Sequence, residues 1–357
     1  MPPGIGAFSG QYPMDICLLE YEYPDELVAQ RPLADRSASR MMVVDRTRGQ
    51  IEHSRISDIP TLIEEGDLIV LNDSRVVPAR IFGRRSTGEE IELLVVEPAD
   101  GERGLWRCLL KRARRIRAGE KLFFGMQATG IARGREGTYL LVEFRGNALD
   151  LAMEHHGVPP LPPYIMREGY EAYTEEDRER YQTVYAEHPG SAAAPTAGLH
   201  LTEDILRKLK RRGVEMAMVT LHVGIDTFTP VREQNAGRHR MHGERVRISQ
   251  EASDAISRAM RESRRIIAVG TTTTRALESA MEGDGVRSGE WVTDLYILPG
   301  YEFRVVGAML TNFHQPRSTL LALVAAFAGR DRILSCYREA IASGYRLFSY
   351  GDCMFIV

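Results

Sequence analysis

The sequence has few cysteines, and no two of them lie close together. The four are Cys17, Cys108, Cys336 and Cys353. Without a CxxC pair, a zinc ribbon or an iron–sulfur cluster is disfavoured, and we expect reduced thiols that are mostly buried. No stretch approaches the apolar length of a membrane-spanning helix, and residues 1–13 lack a signal-peptide pattern. The sequence favours a cytoplasmic protein with residues 1–13 as a flexible extension.

The chain also lacks a strong excess of charge of either sign. Its 357 residues carry a formal net charge of −3, so no global basic field indicates nucleic acid. Basic residues are nevertheless clustered at Lys111 to Arg117, Arg207 to Arg212 and Arg261 to Arg265. Each cluster is compatible with phosphate contacts or with an ordinary solvated surface.

Two kinds of secondary-structure pattern in the sequence predict two domains. Residues 77–149 contain short β-type runs separated by glycine, aspartate or arginine turns, which indicates a small all-β barrel domain. Residues 14–76 and 150–357 mostly alternate strand and helix patterns, which indicates a large α/β domain with a mostly parallel sheet. Thr202 is a predicted N-cap, and Ser318 or Thr319 is predicted to cap a later helix. The barrel is therefore predicted as an insertion in a discontinuous α/β domain.

Histidines are concentrated in the second half of the chain, where strands are predicted to end. His200, His222 and His314 each lie in a polar or glycine-rich setting, and Asn312 precedes His314. Because α/β proteins bind ligands at the carboxyl ends of strands, a shared cleft is favoured slightly over scattered positions.

The segment AVGTTTTRALES indicates a strand, a glycine turn and a helix. Free N–H groups at the helix start, with the hydroxyls of Thr271, Thr272 and Thr273, would suit an anion or a ribose. Helix capping alone would account for one or two of the threonines. Arg275 and Glu278 are predicted to form a local ion pair on successive turns.

A third candidate region consists of polar and aromatic residues in two nearby stretches, LPPYIMRE and DRERYQTVYAEHPG. Its tyrosines, arginine and glutamine suit base stacking and phosphate contact, or ordinary loop packing. The residues concerned are Tyr164, Arg167, Tyr181, Gln182 and Tyr185.

A metal centre is the less favoured use of the histidines. His239, His242 and Glu244 in HRMHGE could supply ligands, but HExxH is missing and this spacing is common.

Motifs along nearly the whole chain, from about Met14 to Val357, carry a family resemblance. They are RPLADRSASRMMVVDR, GDLIVLNDSRVVPARIFGR, LPPYI, RYQTVYA, APTAGLH, TLHVG, TFTPV, HRMHGE, AVGTTTTRALES, TNFHQPRSTLLALVAAFAG and YRLFSYGDCMFIV. In this order they resemble the S-adenosylmethionine:tRNA ribosyltransferase-isomerase family of queuosine biosynthesis. The chain departs from the family pattern at Leu201 in place of Phe, Asp226 in place of Gly and Gln315 in place of Leu.

The resemblance implies an α/β domain with a small β-barrel and transfer of the ribosyl part of S-adenosylmethionine. The acceptor would be 7-aminomethyl-7-deazaguanine at the wobble position of tRNA, and the products epoxyqueuosine-modified tRNA, adenine and methionine. Such a reaction needs a base, an acid, groups that hold the ribose and carboxylate, and a pocket for the tRNA base. It needs no metal or redox cofactor, and we expect a monomer.

Residue chemistry then selects candidates within the matched motifs. His200, His222 and His314 are the candidate acid–base residues, because imidazole titrates near neutral pH. The predicted substrate-binding residues are Tyr164, Arg167, Tyr181, Gln182, Thr196, Gly198, Gly224, Thr271, Thr272, Thr273 and Asn312.

Other functions fit the sequence less well. An ordinary methyltransferase would need a GxGxG turn after an early strand, and a radical enzyme would need a close cysteine triad. A metal-dependent hydrolase acting on a nucleotide would use the histidine cluster. A non-catalytic RNA-binding module would explain the basic clusters but not the polar residues at strand ends.

Overall fold

The structure is a computed structural model that describes residues 14–99, 103–111, 116–224, 227, 231, 233–239, 241 and 243–357. The predicted N-terminal extension, residues 112–115 of the first basic cluster, Asp226 and His242 lie outside the described residues. No helix within these ranges is long and apolar enough to cross a membrane. All four cysteines are free, and only Cys17 is exposed.

The large domain is built on one nine-stranded sheet whose central strands are buried on both sides. Its strands in chain order are β1 (Arg40–Asp45), β2 (Gln50–Arg55), β3 (Leu68–Asn72), β13 (Glu215–Leu221), β14 (Glu244–Ile248), β15 (Ile266–Val269), β18 (Gly289–Thr293), β19 (Ala308–Asn312) and β20 (Cys353–Ile356). Their spatial order is β18-β14-β13-β3-β15-β19-β20-β1-β2. In β3, Leu68 and Val70 face one apolar cluster while Ile69 and Leu71 face another, as strand alternation requires.

The second sheet closes on itself and forms the barrel. Its strands are β5 (Arg80–Arg85), β6 (Glu90–Pro98), β7 (Leu105–Lys111), β8 (Lys121–Phe124), β9 (Ala128–Glu136) and β10 (Tyr139–Phe144), with β11 (Gly157–Val158) alongside β5. Pairing of β5 with β8 closes the ring. Two short ladders complete the set, β4 (Ser74–Val76) with β12 (His188–Ser191), and β16 (Met281–Glu282) with β17 (Gly285–Val286).

Eight α-helices are found in the described part of the chain. They are α1 (Ile59–Leu62), α2 (Ala148–His156), α3 (Glu175–Arg180), α4 (Glu203–Arg211), α5 (Gln250–Arg261), α6 (Thr271–Ser279), α7 (Thr319–Ala328) and α8 (Arg330–Ala342). Thr202 caps α4 and Ser318 caps α7, each accepting a backbone N–H three residues on, so both predicted caps are confirmed. A short 3₁₀ helix, Thr196–His200, leads into α4.

The predicted combination of a large α/β sheet with a small β-barrel is confirmed, but the large sheet is mixed rather than mostly parallel. Strands β13, β3, β15 and β19 run parallel side by side, and β20 runs parallel to β1. The other four pairings are antiparallel. Strand direction depends on tertiary connections that hydrophobic periodicity does not record. The four adjacent parallel strands place their carboxyl ends at one edge, where a ligand site is expected.

Candidate active site

A narrow cleft lies at the carboxyl ends of β15 and β19, between α6, α7 and the 3₁₀ helix before α4. Six of the predicted site residues line it: Tyr164, Thr196, Thr271, Thr272, Asn312 and His314. These six residues come from distant segments of the chain, and they are the ones to which the prediction of a shared cleft at the strand ends applies. The cleft encloses only about 20 Å³ at each of its two ends. Ligand pockets usually measure roughly 300–1,000 Å³, so the walls of this cleft are closely packed in the structure.

The start of α6 forms one wall of the cleft. Gly270 has a φ of +96°, a conformation that glycine allows, and this turns the chain from β15 into α6. Thr273 Oγ1 donates to the Val269 carbonyl, and Thr274 Oγ1 donates to the Gly270 carbonyl. The Thr272 hydroxyl is buried and has no hydrogen-bond partner within the part of the chain that the structure describes. The four threonines thus differ, and Thr272 has its hydroxyl free for a ligand.

Asn312 stands at the end of β19 and is 1 % exposed. Its Nδ2 donates to His200 Nε2 at 3.1 Å and to the Phe348 carbonyl at 3.1 Å. Its Oδ1 is buried without a partner. A buried acceptor left unsatisfied costs about 1–3 kcal/mol, so this oxygen is ready to accept a donor from a bound ligand.

His314 is the imidazole that lines both ends of the cleft. Its backbone N–H donates to the Tyr337 hydroxyl at 2.8 Å, its carbonyl accepts from the Tyr21 hydroxyl, and its Nε2 lies 2.9 Å from Thr311 Oγ1. Burial lowers the pKa of His314 to about 3, so the ring is neutral at pH 7. The ring is firmly held and does not need to lose a proton before it can accept one.

His200 lies behind the cleft wall rather than on it. Because its Nε2 accepts from Asn312, its proton is on Nδ1, and the ring lines a small separate cavity with Arg36, Arg180 and Tyr350. Burial, with the nearby Arg36 and Arg346, lowers the pKa of His200 to about 4. In this arrangement His200 orients Asn312 and does not touch the cleft.

His222 lies in a different place, a groove of about 450 Å³ beyond β13. We define the groove by His222, Arg245, Arg247, Glu290, Trp291 and Val292. Successive residues of an extended chain point to opposite sides, which explains why Val223 lines the cleft and His222 the groove. His222 Nδ1 lies 3.0 Å from Ser74 Oγ, and burial with the nearby Arg245 and His188 lowers its pKa.

Three predicted binding residues of the aromatic segment, Arg167, Tyr181 and Gln182, have structural roles at their present positions. Arg167 forms a two-point ion pair with the buried Asp177, at 3.0 and 2.8 Å. Gln182 exchanges two hydrogen bonds with the backbone of Val76, at 2.8 and 3.0 Å. Tyr181 is fully buried. Tyr164 differs from them because it lines the cleft, where its hydroxyl lies 2.7 Å from Ser349 Oγ.

The two predicted glycines serve packing in this structure. A Cβ at Gly198 would lie 2.1 Å from the Tyr185 hydroxyl oxygen, so only glycine fits there. Gly224 donates its N–H to Glu244 Oε1 at 3.1 Å, and Thr227 donates its hydroxyl to the same oxygen at 3.2 Å. Glu244 is in turn bonded to Arg275 in a pair that is almost fully buried. Through this pair α6 fixes Thr227, which lines the cleft.

The predicted local pair between Arg275 and Glu278 is therefore wrong. Arg275 reaches Glu244, and Glu278 instead accepts backbone N–H groups of residues 304–306 and the Tyr301 hydroxyl. Helical spacing permits the local pair, but buried donors in a neighbouring loop outcompete it because they would otherwise stay unpaired.

The sequence-based prediction missed several cleft residues, among them Thr227, Phe348 and Ser349. Thr227 lies in TFTPV, and Phe348 and Ser349 lie in YRLFSYGD, so the matched motifs contained the signal. Gln315, one of the departures from the family pattern, also lines the cleft, while Leu201 is buried in the core.

The metal-ligand alternative loses two of its members to other partners. Glu244 is bonded to Arg275, and His239 Nδ1 lies 3.1 Å from Glu233. A different group, Asp73, Glu187 and His188, has its potential ligand atoms within 4.8 Å of one another. That group borders the groove through His188 and not the cleft.

The third basic cluster is partly structural. Arg264 bonds Glu215 at 2.9 Å, and Arg265 bonds Asp67. On α4, Lys208 lies 2.8 Å from Asp204 but both remain exposed. The cations of the α4 cluster therefore remain available to a partner.

The sequence matches one family model over nearly its full length. Residues 17–356 match the model described as queuosine biosynthesis protein. Among curated relatives, the S-adenosylmethionine:tRNA ribosyltransferase-isomerase of Anaeromyxobacter sp. strain Fw109-5 is 49% identical, over 94% of this chain and 97% of the relative. The protein of the same name from Syntrophotalea carbinolica is 46% identical, over 95% and 98%.

A solved structure is similar in fold as well. The crystal structure of S-adenosylmethionine tRNA ribosyltransferase from Thermotoga maritima is 36% identical in sequence. It aligns with a TM-score of 0.54 over 95% of this chain and 100% of that chain.

Proposed function

Because this chain belongs to the queuosine biosynthesis protein family, and its full-length relatives are S-adenosylmethionine:tRNA ribosyltransferase-isomerases, we propose that it catalyses that reaction in the cleft. It is an enzyme that transfers the ribosyl part of S-adenosylmethionine to a tRNA and isomerises it. The acceptor is the aminomethyl group of 7-aminomethyl-7-deazaguanine at the wobble position. The products are epoxyqueuosine-modified tRNA, adenine and methionine.

One observation carries the location of the reaction. The cleft brings Thr272 Oγ1 and Asn312 Oδ1, two of the buried polar atoms that have no hydrogen-bond partner among the described residues, to the start of α6 and beside His314. Such atoms are costly unless a ligand satisfies them, and the positive end of a helix favours an anionic group. S-adenosylmethionine offers a carboxylate, ribose hydroxyls and an amino group, which are the complementary partners.

The chemistry requires proton transfer at the ribose. The sulfonium acidifies a proton on C5′. Removal of this proton by a base forms a C4′–C5′ double bond, breaks the bond between C4′ and the ring oxygen, leaves a carbonyl at C1′ and expels adenine, which takes up a proton. The acceptor amine then adds to C4′ and loses a proton, and the resulting C5′ carbanion bonds to C1′. The alkoxide on C1′ displaces the sulfur from C5′, which closes the epoxide and releases methionine. We assign the base to His314, since it is the one histidine of the described residues that borders the cleft.

The remaining cleft residues hold the substrate. Thr196, Thr227 and Asn312 lie between the two ends, where a ribose can donate and accept hydrogen bonds. His200 supports Asn312 from behind. The reaction as written uses no metal or redox cofactor. A monomer contains every residue invoked, and the proposed location is the cytoplasm, where tRNA is available.

Release of adenine tests this function directly. The purified protein is incubated with S-adenosylmethionine and tRNA carrying 7-aminomethyl-7-deazaguanine, and adenine and the tRNA nucleosides are measured by mass spectrometry. We expect adenine and epoxyqueuosine in equal amounts, and neither with tRNA that carries guanine at the wobble position. Appearance of S-adenosylhomocysteine instead would indicate methyl transfer and refute the proposal.

A further inference from the structure

The two ends of the cleft differ in chemistry. One end, which we call the threonine end, contains Gly270, Thr271, Thr272 and the start of α6. The other, which we call the aromatic end, contains Tyr164, Phe313, Gln315, Ser318, Phe348 and Ser349. Between them lie Thr196, Thr227, Asn312 and His314, which border both. A ligand that fills the cleft therefore meets three different environments in a fixed order.

The threonine end suits a carboxylate. Helix α6 has nine residues and no acidic residue in its first turn, so none of its own side chains there offsets the positive end of its dipole. The first N–H groups of a helix have no partner within the helix. Thr272 adds a hydroxyl that is buried without a partner in a side chain only 6 % exposed. The hydroxyls of Thr273 and Thr274 are used by backbone carbonyls and cannot serve this role.

The aromatic end suits a neutral planar ring. The rings of Tyr164 and Phe348 have centroids 4.9 Å apart, and Phe313 is fully buried beside them. Among the described residues that line this end, none is an acid, a lysine or an arginine. Aromatic surfaces of this kind stack on a nucleobase, and the hydroxyl and amide groups nearby can bond its edge.

The middle of the cleft suits a ribose. Asn312 Oδ1 is an acceptor without a partner among the described residues, while the Asn312 amide nitrogen donates to His200 and to the Phe348 carbonyl. A ribose hydroxyl can donate to it. A ribose held there lies next to His314, which the proposed reaction requires.

These three environments follow the order of the three parts of S-adenosylmethionine. We infer that S-adenosylmethionine binds with its methionine carboxylate at the start of α6 and Thr272, its ribose at Asn312 and His314, and its adenine at the aromatic end. This inference rests on the proposed function. It adds an orientation: the departing adenine leaves at the Tyr164 side, and the methionine stays at α6 until the C–S bond breaks.

The inference is tested by pairing a variant at each end with a ligand that lacks one group. Binding of S-adenosylmethionine and of its decarboxylated analogue is measured by calorimetry for the wild-type protein, Thr272→Val and Tyr164→Leu. Thr274→Val is the matched control, since its hydroxyl bonds the backbone of its own helix. Thermal unfolding of each variant checks that it is folded.

The methionine carboxylate of S-adenosylmethionine should strengthen binding only in proteins that keep the Thr272 hydroxyl. A hydrogen bond to a charged group is worth about 1.5–3 kcal/mol, so Thr272→Val should weaken S-adenosylmethionine binding by about 10–150-fold and leave the analogue within about threefold of wild type. Tyr164→Leu should weaken both ligands by the same factor, because both contain adenine. Thr274→Val should leave the binding of both unchanged.

Two outcomes overturn the orientation. One is equal weakening of both ligands by Thr272→Val, or none. The other is a Tyr164→Leu variant that has lost the preference for S-adenosylmethionine over its analogue, which would place the carboxylate at the aromatic end. A wild-type protein that binds neither ligand and releases no adenine would instead overturn the proposed function, and the orientation with it.

Discussion

The cleft and the groove lie at neighbouring strand ends of one sheet, and they differ in volume and in unsatisfied polar groups. The groove holds about 450 Å³, and its Arg247 is paired with Glu290 at an exposed rim. The cleft holds about 20 Å³ at either end, yet it contains two buried polar atoms without partners. A cavity that leaves hydrogen-bonding groups unpaired is built for a polar ligand, whereas open volume alone is not specific. The comparison therefore favours the smaller space.

The largest effect should separate the histidines of these two regions. His314→Ala should lower the rate of adenine release by about 10²–10⁴-fold, because a positioned acid–base group typically contributes that much. Single-turnover release of adenine from S-adenosylmethionine with precursor tRNA measures it. If the variant is folded and retains more than about a tenth of the wild-type rate, His314 is not the base.

The next largest effect should be a difference in stability between variants of the ion pairs in the cleft and in the groove. Glu244→Gln leaves the Arg275 guanidinium buried without its carboxylate and should lower the free energy of unfolding by about 3 kcal/mol. Glu290→Gln, the matched change at the groove, removes an exposed partner and should cost about 0–1 kcal/mol. Urea denaturation measures both. Equal costs would mean that the pair behind the cleft is not a structural support for Thr227.

Lowering the pH should destabilise the fold through two buried histidines in and behind the cleft. His200 and His314 have folded-state pKa values of about 4 and about 3, below the unfolded value near 6.5. The unfolded chain then binds more protons, so stability is complete above pH 6.5 and falls as the pH is lowered toward 4. At pH 5 the loss is up to about 2 kcal/mol for each ring. Urea midpoints at pH 7 and pH 5 measure this loss.

The control for the acid effect is removal of one titrating ring. In His200→Gln, the difference in the free energy of unfolding between pH 7 and pH 5 should be smaller than in the wild type by up to about 2 kcal/mol, the contribution of that ring. A variant with an unchanged difference would show that His200 is not buried as a neutral ring.

The smallest effect is expected in the groove. His222→Ala removes the contact with Ser74 but no group that lines the cleft, so adenine release should stay within about threefold of wild type, far below an acid–base contribution. The single-turnover assay used for His314 gives the rate. A fall of a hundredfold would show that the groove takes part in the reaction and would remove the distinction between the two regions.

Local signals in the sequence predicted local structure well. The caps at Thr202 and Ser318 and the short strands of the barrel depend on nearby residues, so sequence patterns contain them. The glycine turn before α6 followed from the same kind of signal. Strand-end polar residues also indicated the right edge of the sheet for Asn312 and His314.

What the sequence did not predict depends on contacts between distant segments. The mixed directions of the strands and the bond from Arg275 to Glu244 are set by tertiary connections. The separation of His222 from the cleft depends on which side of an extended chain one residue faces, and a shift by one residue reverses that side. Composition and spacing carry no record of these choices. For the same reason Arg167 and Gln182, which have suitable chemistry, hold the fold together instead of facing the cleft.

The attachment of the barrel has a consequence for how this architecture can change. The first strand of the barrel, β5, is paired with β11, the strand that follows the barrel, with Arg80 opposite Val158 and Ile81 opposite Gly157. The chain thus enters and leaves the barrel at adjacent points, a geometry typical of inserted domains. A unit attached in this way can be exchanged, enlarged or lost without a change in the order or connections of the strands in the large sheet.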